Sequence, residues 1–395
     1  MKTEYKNSIL TIFLEGRIDS ANAQQTETEI TEALRNFPEA SLVIDTEMLT
    51  YISSAGLRVL LRLQKEKKEK ISLRNVTPEV YGILEVTGFT EMFDVRKKLR
   101  EISVEGCEVI GQGASGTVYR LGEDQILKLY SSSQTLEEIE HERSLAREAV
   151  INGIPSVITY DVVRCDERYG IVFELLHSDT LGHAFSRASE KEEEYLVKYV
   201  DFVKNLHEIP LKSGVFPNLK SVLHEKVPPL ARCCTAEDLN LLHSLIDSIP
   251  DRNSLVHGDL HPGNIMLQGE EFLLIDLPDA SVGSKVWDLV GLFRDLIIGP
   301  RQIPDIVEQS MGIPADRIVS IGRAFFMQYF GVNSAEALQP YFGMIMPLFA
   351  LNSVLTSGDP SDPAHMVPTE IVKKMMRKAI TPNEAQIRQT FQMLS

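Results

Sequence analysis

The stretch LVHGDLHPGNIML, residues 255–267, constrains this chain more than any other part of it. Two histidines, an Asp, an Asn, a Pro and two Gly stand within eight residues, between apolar segments that read as strands. Such a cluster is more than a turn, because polar groups gathered on a loop between rigid elements mark a site. Asp259 and Asn264 are five residues apart, the spacing at which phosphoryl-transfer loops place a proton acceptor and a metal ligand. Twelve residues further on, LLIDLPDA puts Asp276 at the end of an apolar strand. A carboxylate there can bind Mg2+ together with Asn264, and the metal charge stabilises a phosphoryl group in transfer. His257 and His261 raise a zinc reading, but four residues apart on a Gly/Pro loop they are no helical ligand pair.

Upstream, GQGASGTV at 111–118 fits G-x-G-x-x-G-x-V, with Gly111, Gly113, Ser115, Gly116 and Val118 in the pattern. Glycines let a backbone come close to phosphates. The same residues equally describe a hairpin turn. A dinucleotide-binding reading fits poorly, because a strand rather than a helix follows. Lys128 sits in ILKLY on the next predicted strand. It is either an edge lysine facing solvent or a lysine that holds phosphates and is paired to a helix glutamate. Glu142 is the candidate partner, but Glu137, Glu138, Glu140 and Glu148 share its helix, and residue types alone do not choose.

Composition enters through charge. The chain has 395 residues, enough for two or three domains, with 40 basic and 56 acidic side chains and a net charge of −16. The first hundred residues hold fifteen basic and fifteen acidic groups, so the whole excess lies beyond them. That shift predicts a boundary near residue 100. The acidity argues against a general nucleic-acid binder and against docking on anionic membranes. Four cysteines with no C-x-x-C spacing suit a reduced compartment. The N-terminal MKTEYKNSILTIFLEG reads as a strand rather than a signal peptide. The longest apolar stretch, Tyr341 to Leu355, is interrupted by Gly343, Pro347 and Asn352. It is expected to be too short for a membrane span and to form a buried helix. A cytoplasmic location is expected.

Periodicity predicts strands over 8–14 and 41–45, and another starting at 71–73. Helices are predicted over 24–37, 54–70 (with Leu57, Leu60 and Leu61 on one face) and 79–87. This α/β alternation implies a mixed sheet with helices on it. Beyond residue 100, strands surround the glycine-rich turn, a charged helix spans 135–152, and a strand pair covers 157–164 and 169–175. Helices dominate from Glu190, apart from a strand–turn–strand around 264–275. Strands first and helices later imply an α+β, two-lobed domain.

Taken in order, the Gly loop, Lys, Glu, D-x-x-x-x-N and Asp form a kinase-like set. The segment 104–395 resembles the aminoglycoside phosphotransferase and choline-kinase-like branch of the protein-kinase-like fold, on HGDLHPGN at 257–264 and Ile275-Asp276. The resemblance implies a bilobal domain, with an N-lobe of about 104–177 and a C-lobe of about 178–395. It implies ATP and Mg2+, with Asp259 as base, Asn264 and Asp276 as metal ligands and Lys128 as phosphate clamp. The family places a helix Glu eleven residues before Gly-Ile/Val-Pro, which favours Glu142 ahead of Gly153-Ile154-Pro155. Phe173-Glu174-Leu175-Leu176 is similar to the hinge that contacts adenine through backbone groups, which puts Glu174 and Leu176 at the nucleotide. Trp287-Asp288-Leu289 resembles the family's structural Asp, and His207 in NLHEIP a structural landmark. Pro278 and Asp179 stand where the family usually has glycine.

TYISSAGLRVLL, residues 50–61, carries a second resemblance, to STAS domains, the anti-sigma-factor antagonist family. EGRID (15–19), VID (43–45) and VTGFTEMFDV (86–95) match its other landmarks, and the likeness covers residues 1–100. It implies that Ser54 is phosphorylated, although Ser53 replaces the usual preceding Asp. A phosphate at a helix N-terminus meets unpaired N–H groups and would change the surface a partner sees. A capping serine without phosphorylation is the competing reading.

Two functions follow as expectations. One is a phosphotransferase acting on a hydroxyl-bearing small molecule, with a STAS regulatory module; the acidic domain would suit a cationic acceptor. The other is a signalling protein whose STAS module binds a sigma-factor regulator or serine kinase. Its kinase-like domain would then act on a protein, Ser54 in cis included, or only sense nucleotide.

Overall fold

The computed structural model describes residues 1–395 except 7, 114–115, 188, 213, 215 and 358–366, with residue 189 described as backbone alone. Ser115 of the glycine loop therefore lies outside the described residues. The chain forms two compact units, Met1–Ile102 and Ser103–Ser395.

The first unit runs β1 (Lys2–Lys6), β2 (Ile9–Ile18), α1 (Ala23–Asn36), β3 (Ser41–Ile52), α2 (Ser54–Glu66), β4 (Ser72–Val76), α3 (Pro78–Val86), α4 (Phe89–Met92) and β5 (Asp94–Lys97), with a two-residue β6 (Arg100–Glu101) after it. Its sheet order is β1-β2-β3-β4-β5. β1 pairs antiparallel with β2, and helical crossovers make β2 to β5 parallel. In β2, Leu10, Ile12 and Leu14 alternate into the core. They meet Leu57, Leu60 and Leu63 of α2. Leu63, not the predicted Leu61, completes the buried face. The predicted short strand at 41–45 continues to Ile52, helped by two register shifts against β2. The helix predicted to 70 stops at Glu66, where Lys67, Lys68, Glu69 and Lys70 offer nothing to bury.

The second unit begins with β7 (Val109–Gln112), β8 (Gly116–Arg120), β9 (Gln125–Tyr130), α5 (Leu136–Ile151), β10 (Thr159–Cys165) and β11 (Arg168–Glu174). These strands pair antiparallel in the order β10-β11-β9-β8-β7. A capping box of Thr135 and Glu138 starts α5, and Gly153, with φ +77°, ends it. Helices α6 (Leu181–Arg187), α7 (Glu192–Leu206), α8 (Leu219–Glu225) and α9 (Ala236–Asp247) follow. Two small antiparallel pairs come next, β12 (Ser254–Val256) with β15 (Ser281–Gly283) and β13 (Ile265–Gln268) with β14 (Glu271–Leu274). Then α10 (Val286–Phe293) runs into a π-helical turn, Arg294–Ile298. The unit continues with α11 (Gly299–Gln302), α12 (Pro304–Met311), α13 (Ala315–Phe330), α14 (Ala335–Thr356), α15 (Thr369–Met375) and α16 (Glu384–Leu394).

The apolar stretch from Tyr341 to Leu355 forms a helix, as expected, but a longer one than its sequence reading. Gly343, Pro347 and Asn352 do not interrupt it; α14 is one helix of 22 residues that passes through Pro340 and Pro347. By length and composition it could cross a membrane, and half of its most apolar window is buried within the unit. Packing of Ile345, Leu348, Leu351 and Leu355 into the core outweighs the cost of internal prolines.

Candidate functional site

Lys128 lies on β9 between Leu127 and Leu129, both fully buried. Its Nζ donates to Glu142 Oε1 at 2.9 Å and to Asp276 Oδ1 at 2.7 Å. The structure thus resolves the open choice among the α5 glutamates. Glu142 sits on the buried face of α5 with Ile139, Leu145 and Ala146. A carboxylate is tolerated there because the ammonium answers it. Burial alone would push the Lys128 ammonium down; Asp276 and Glu142 outweigh it and hold it raised.

The loop at 257–264 hangs from Asp288 on α10, a fully buried carboxylate. It accepts from the backbone N–H of His257 at 3.0 Å and of Gly258 at 2.8 Å, and meets His207 Nε2 at 2.9 Å. Burial would raise the Asp288 carboxyl, but the His207 hydrogen bond and charge, then His257 and the Gly258 N–H, hold it below the usual range. Gly258 has φ +87°, and a Cβ there would lie 2.8 Å from the Cβ of Asp279, so only glycine suits the position. His257 Nδ1 accepts from the Asp259 N–H at 3.2 Å, which assigns its proton to Nε2, facing Ile275 O at 3.2 Å. Tyr199 on α7 ties the loop from below, donating to Leu260 O at 2.9 Å.

Asp259 uses both oxygens. Oδ1 accepts from Arg294 Nη2 at 2.9 Å; Oδ2 accepts from Asn264 Nδ2 at 3.0 Å and faces His261 Nε2 at 3.4 Å. Burial would raise this carboxyl too, but His261, Arg294 and His257 hold it far below the usual carboxylate range. Burial lowers His261, and its bond to Asp259 more than reverses that. Asp295 and Asp259 keep the Arg294 guanidinium firmly charged. Arg294 went unread in the sequence. The signal available was an Arg-Asp pair closing the otherwise apolar run LVGLF, and its use depends on the π-helical turn that aims it.

Asn264 is buried at the end of a short turn, and its Nδ2 also bonds Asp259 O at 2.9 Å. Ile275 N donates to Asn264 O at 3.0 Å, which sets Asn264 beside the chain leading into Asp276, itself at φ +63°. With the donor end of Asn264 spent on Asp259, its oxygen is the end left for a ligand. An amide oxygen and a carboxylate are hard donors of the kind Mg2+ takes, alongside water and phosphate oxygens. His257 and His261 have their ring nitrogens committed to backbone groups and to Asp259.

Around the glycine turn, Gly113 N donates to Gly116 O at 2.9 Å, and Val118 pairs opposite Lys128. A Cβ on Gly116 would overlap the Leu129 carbonyl of β9, whereas the Cβ direction of Gly113 is open. Gly111 packs against Val118. At the hinge, Glu174 N donates to Ile158 O at 3.0 Å, Glu174 Oε1 accepts from Ile158 N at 2.7 Å, and Leu175 N donates to Asp124 O at 2.8 Å. The amide of buried Leu176 has no backbone partner among the described residues. In the first unit, Ser53 caps α2, its Oγ accepting from Ala55 N at 3.2 Å, and Ser54 is the exposed first residue of that helix.

A model of the phosphotransferase enzyme family matches residues 106–311. A STAS-domain model matches residues 1–102. Over 92 residues the chain is 36% identical to a protein of Bordetella bronchiseptica named as an anti-sigma factor antagonist, BtrV, covering 22% of this chain and 78% of that one. Among solved structures it is similar to a choline/ethanolamine kinase family protein of Mesorhizobium loti, at 17% identity and a TM-score of 0.42, over 73% of this chain and 92% of that one. It is also similar to an aminoglycoside-3'-phosphotransferase of type VIII, at 21% identity and a TM-score of 0.40, over 60% and 92%.

Proposed function

Because the chain belongs to the phosphotransferase enzyme family and carries a STAS domain, we propose that it moves the γ-phosphoryl group of ATP to a hydroxyl of a small molecule, with the STAS domain as a regulatory module. The observation that carries this reading is the Lys128 ammonium held between Glu142 and Asp276. In this role Lys128 grips the phosphates, and Gly111, Gly113 and Gly116 cover them. Adenine meets the hinge at Leu176, whose amide has no backbone partner among the described residues. Asn264 and Asp276 would hold Mg2+, whose charge offsets that of the transferring group. Asp259, ionised and oriented by Arg294 and Asn264, takes the acceptor's hydroxyl proton as the acceptor oxygen bonds phosphorus and the bond to ADP breaks. ATP consumption by the full chain with hydroxyl acceptors tests this. Turnover should be lost in Asp259→Ala, and turnover that persists would remove Asp259 from the reaction.

A second reading rests on Ser54, exposed at the start of α2. Here the STAS domain binds a sigma-factor regulator or serine kinase, and Ser54 takes the phosphate, in cis or from a partner. Intact mass after ATP incubation checks the cis version; no added phosphate, or phosphate kept in Ser54→Ala, sinks it.

A further inference from the structure

A cavity of about 230 Å3 opens beside the loop of Asp259, reaching it through Gly258 and through Arg294, whose guanidinium bonds the Asp259 carboxylate. Its far wall is α14, where Asn352 faces the cavity. In the stretch ALNSVL of this helix two side chains are polar: the Ser353 hydroxyl bonds back to Phe349 O, whereas Asn352, only 6% exposed, faces the cavity. Its side-chain amide makes no hydrogen bond among the described residues, while Thr356 Oγ1 bonds its backbone oxygen. An amide that faces a cavity with no partner among the described residues is available to bond a polar group seated there. Among the charged groups on the wall, Arg294 is engaged by Asp259 and Asp295, and His141 lines the wall as well. That leaves Lys226 and Asp279, one cation and one anion, neither in an ion pair among the described residues. Asp279 packs directly over Gly258, next to the Asp259 backbone.

We infer that this cavity seats the phosphoryl acceptor, that Asn352 is its specificity-determining hydrogen-bonding residue, and that the acceptor is a hydroxylated molecule of one ring or less with no net charge. The inference rests on the phosphotransfer reading above and narrows its acceptor. Size argues for the limit, since drug-sized ligands take clefts of about 300–1,000 Å3, and this cavity is smaller. Charge argues for the rest: one cation and one anion, neither in an ion pair among the described residues, match a neutral polyol or a zwitterionic hydroxy amino acid, not a polycation.

The test uses the full chain, ATP and Mg2+, and follows ADP release with D-glucose, myo-inositol, L-homoserine, choline, D-glucosamine and kanamycin A as probes. At least one of the first three should turn over, at least about tenfold faster in kcat/KM than choline, D-glucosamine or kanamycin A. Asn352→Leu, near in volume and without the amide, should raise the KM of that acceptor at least about tenfold with little change in the KM of ATP, and Asn352→Gln should restore part of the loss. Calorimetric melting checks that both variants fold; if Asn352→Leu does not, Asn352→Asp, with the donor lost, takes its place and should show the same KM rise. Faster turnover of a cationic probe, or an acceptor KM unmoved by these variants, overturns the inference and leaves phosphotransfer standing. So does a chain that ATP with Mg2+ stabilises against heat but that turns over none of the three neutral or zwitterionic probes. A chain that ATP with Mg2+ does not stabilise, and that consumes no ATP, overturns the phosphotransfer reading itself and this inference with it.

Discussion

Asp259 illustrates how one side chain can be committed on every side and still be available for chemistry. Three neighbours, Arg294, Asn264 and His261, hold it ionised and aimed, which suits a group that positions a hydroxyl and receives its proton late. Asp259→Asn should lower kcat by about 10²–10⁴-fold with the ATP KM little changed, measured by ADP release. Asp288 is the structural counterpart, buried and bonded to the backbone it carries. Asp288→Ala should cost about 3–5 kcal/mol at pH 7, since it strips a buried charge network of its anion. Its carboxyl is depressed in the folded state, so its contribution is complete above the ordinary carboxylate value of about 3.9 and fades as pH falls through the lower folded value. Melting curves of wild type and Asp288→Ala should therefore converge between about pH 4 and strongly acidic pH. At this scale Asp259, Asn264 and Asp276 were legible because their spacing reflects one loop and one strand. Arg294 was not, because its reach to Asp259 depends on a π-helical turn that no periodicity announces.

At the scale of elements, packing decides what pattern leaves open. The α2 helix lies so close to β2 and β3 that a Cβ on Gly56 would come within 2.7 Å of Ile52 Cγ1 and 2.8 Å of Ile18 Cγ2. Gly56→Val should therefore destabilise the first unit by at least about 1–3 kcal/mol, read from urea unfolding. Ser54 on the same helix should behave oppositely. An acidic group in the first turn is favoured by the helix dipole, so Ser54→Asp should leave the unit as stable or raise it by about 0.3–1 kcal/mol in the same assay. Loss of stability there would argue against a phosphate being accommodated at this helix end. For α14 the expected helix is present but longer than the pattern suggested: Gly343, Pro347 and Asn352 look like breaks, yet the helix passes through all three. The helix keeps its proline because tertiary burial supports it. Asn352, read only as an interruption, turns out to face the cavity.

For the whole molecule, the division into Met1–Ile102 and Ser103–Ser395 gives each unit its own buried core. A fragment of residues 1–102 should unfold in one cooperative transition on its own, seen by far-ultraviolet circular dichroism in urea; a non-cooperative melt would show that its core is incomplete. The same division accounts for the uneven charge. The first hundred residues are neutral, and the acidic excess belongs to the second unit. That excess says little about the acceptor, because the cavity wall beside Asp259 carries Lys226 and Arg294 as well as Asp279.

Local pattern alone determined the elements and the order of the chemical groups. The alternation in β2, the capping box of α5 and the loop from His257 to Asn264 depend on neighbours in the chain, and neighbours are what a sequence displays. The resemblances of 104–395 and 1–100 to two families were legible for the same reason. Tertiary structure decided which glutamate of α5 meets Lys128, that Arg294 bonds Asp259, and that Asn352 lines a cavity with its amide unpaired among the described residues. Each of these joins residues far apart in the chain, from 14 positions for Lys128 and Glu142 to 148 for Lys128 and Asp276. Such contacts are chosen by the free energy of burying and pairing groups, which exists only once the chain has folded.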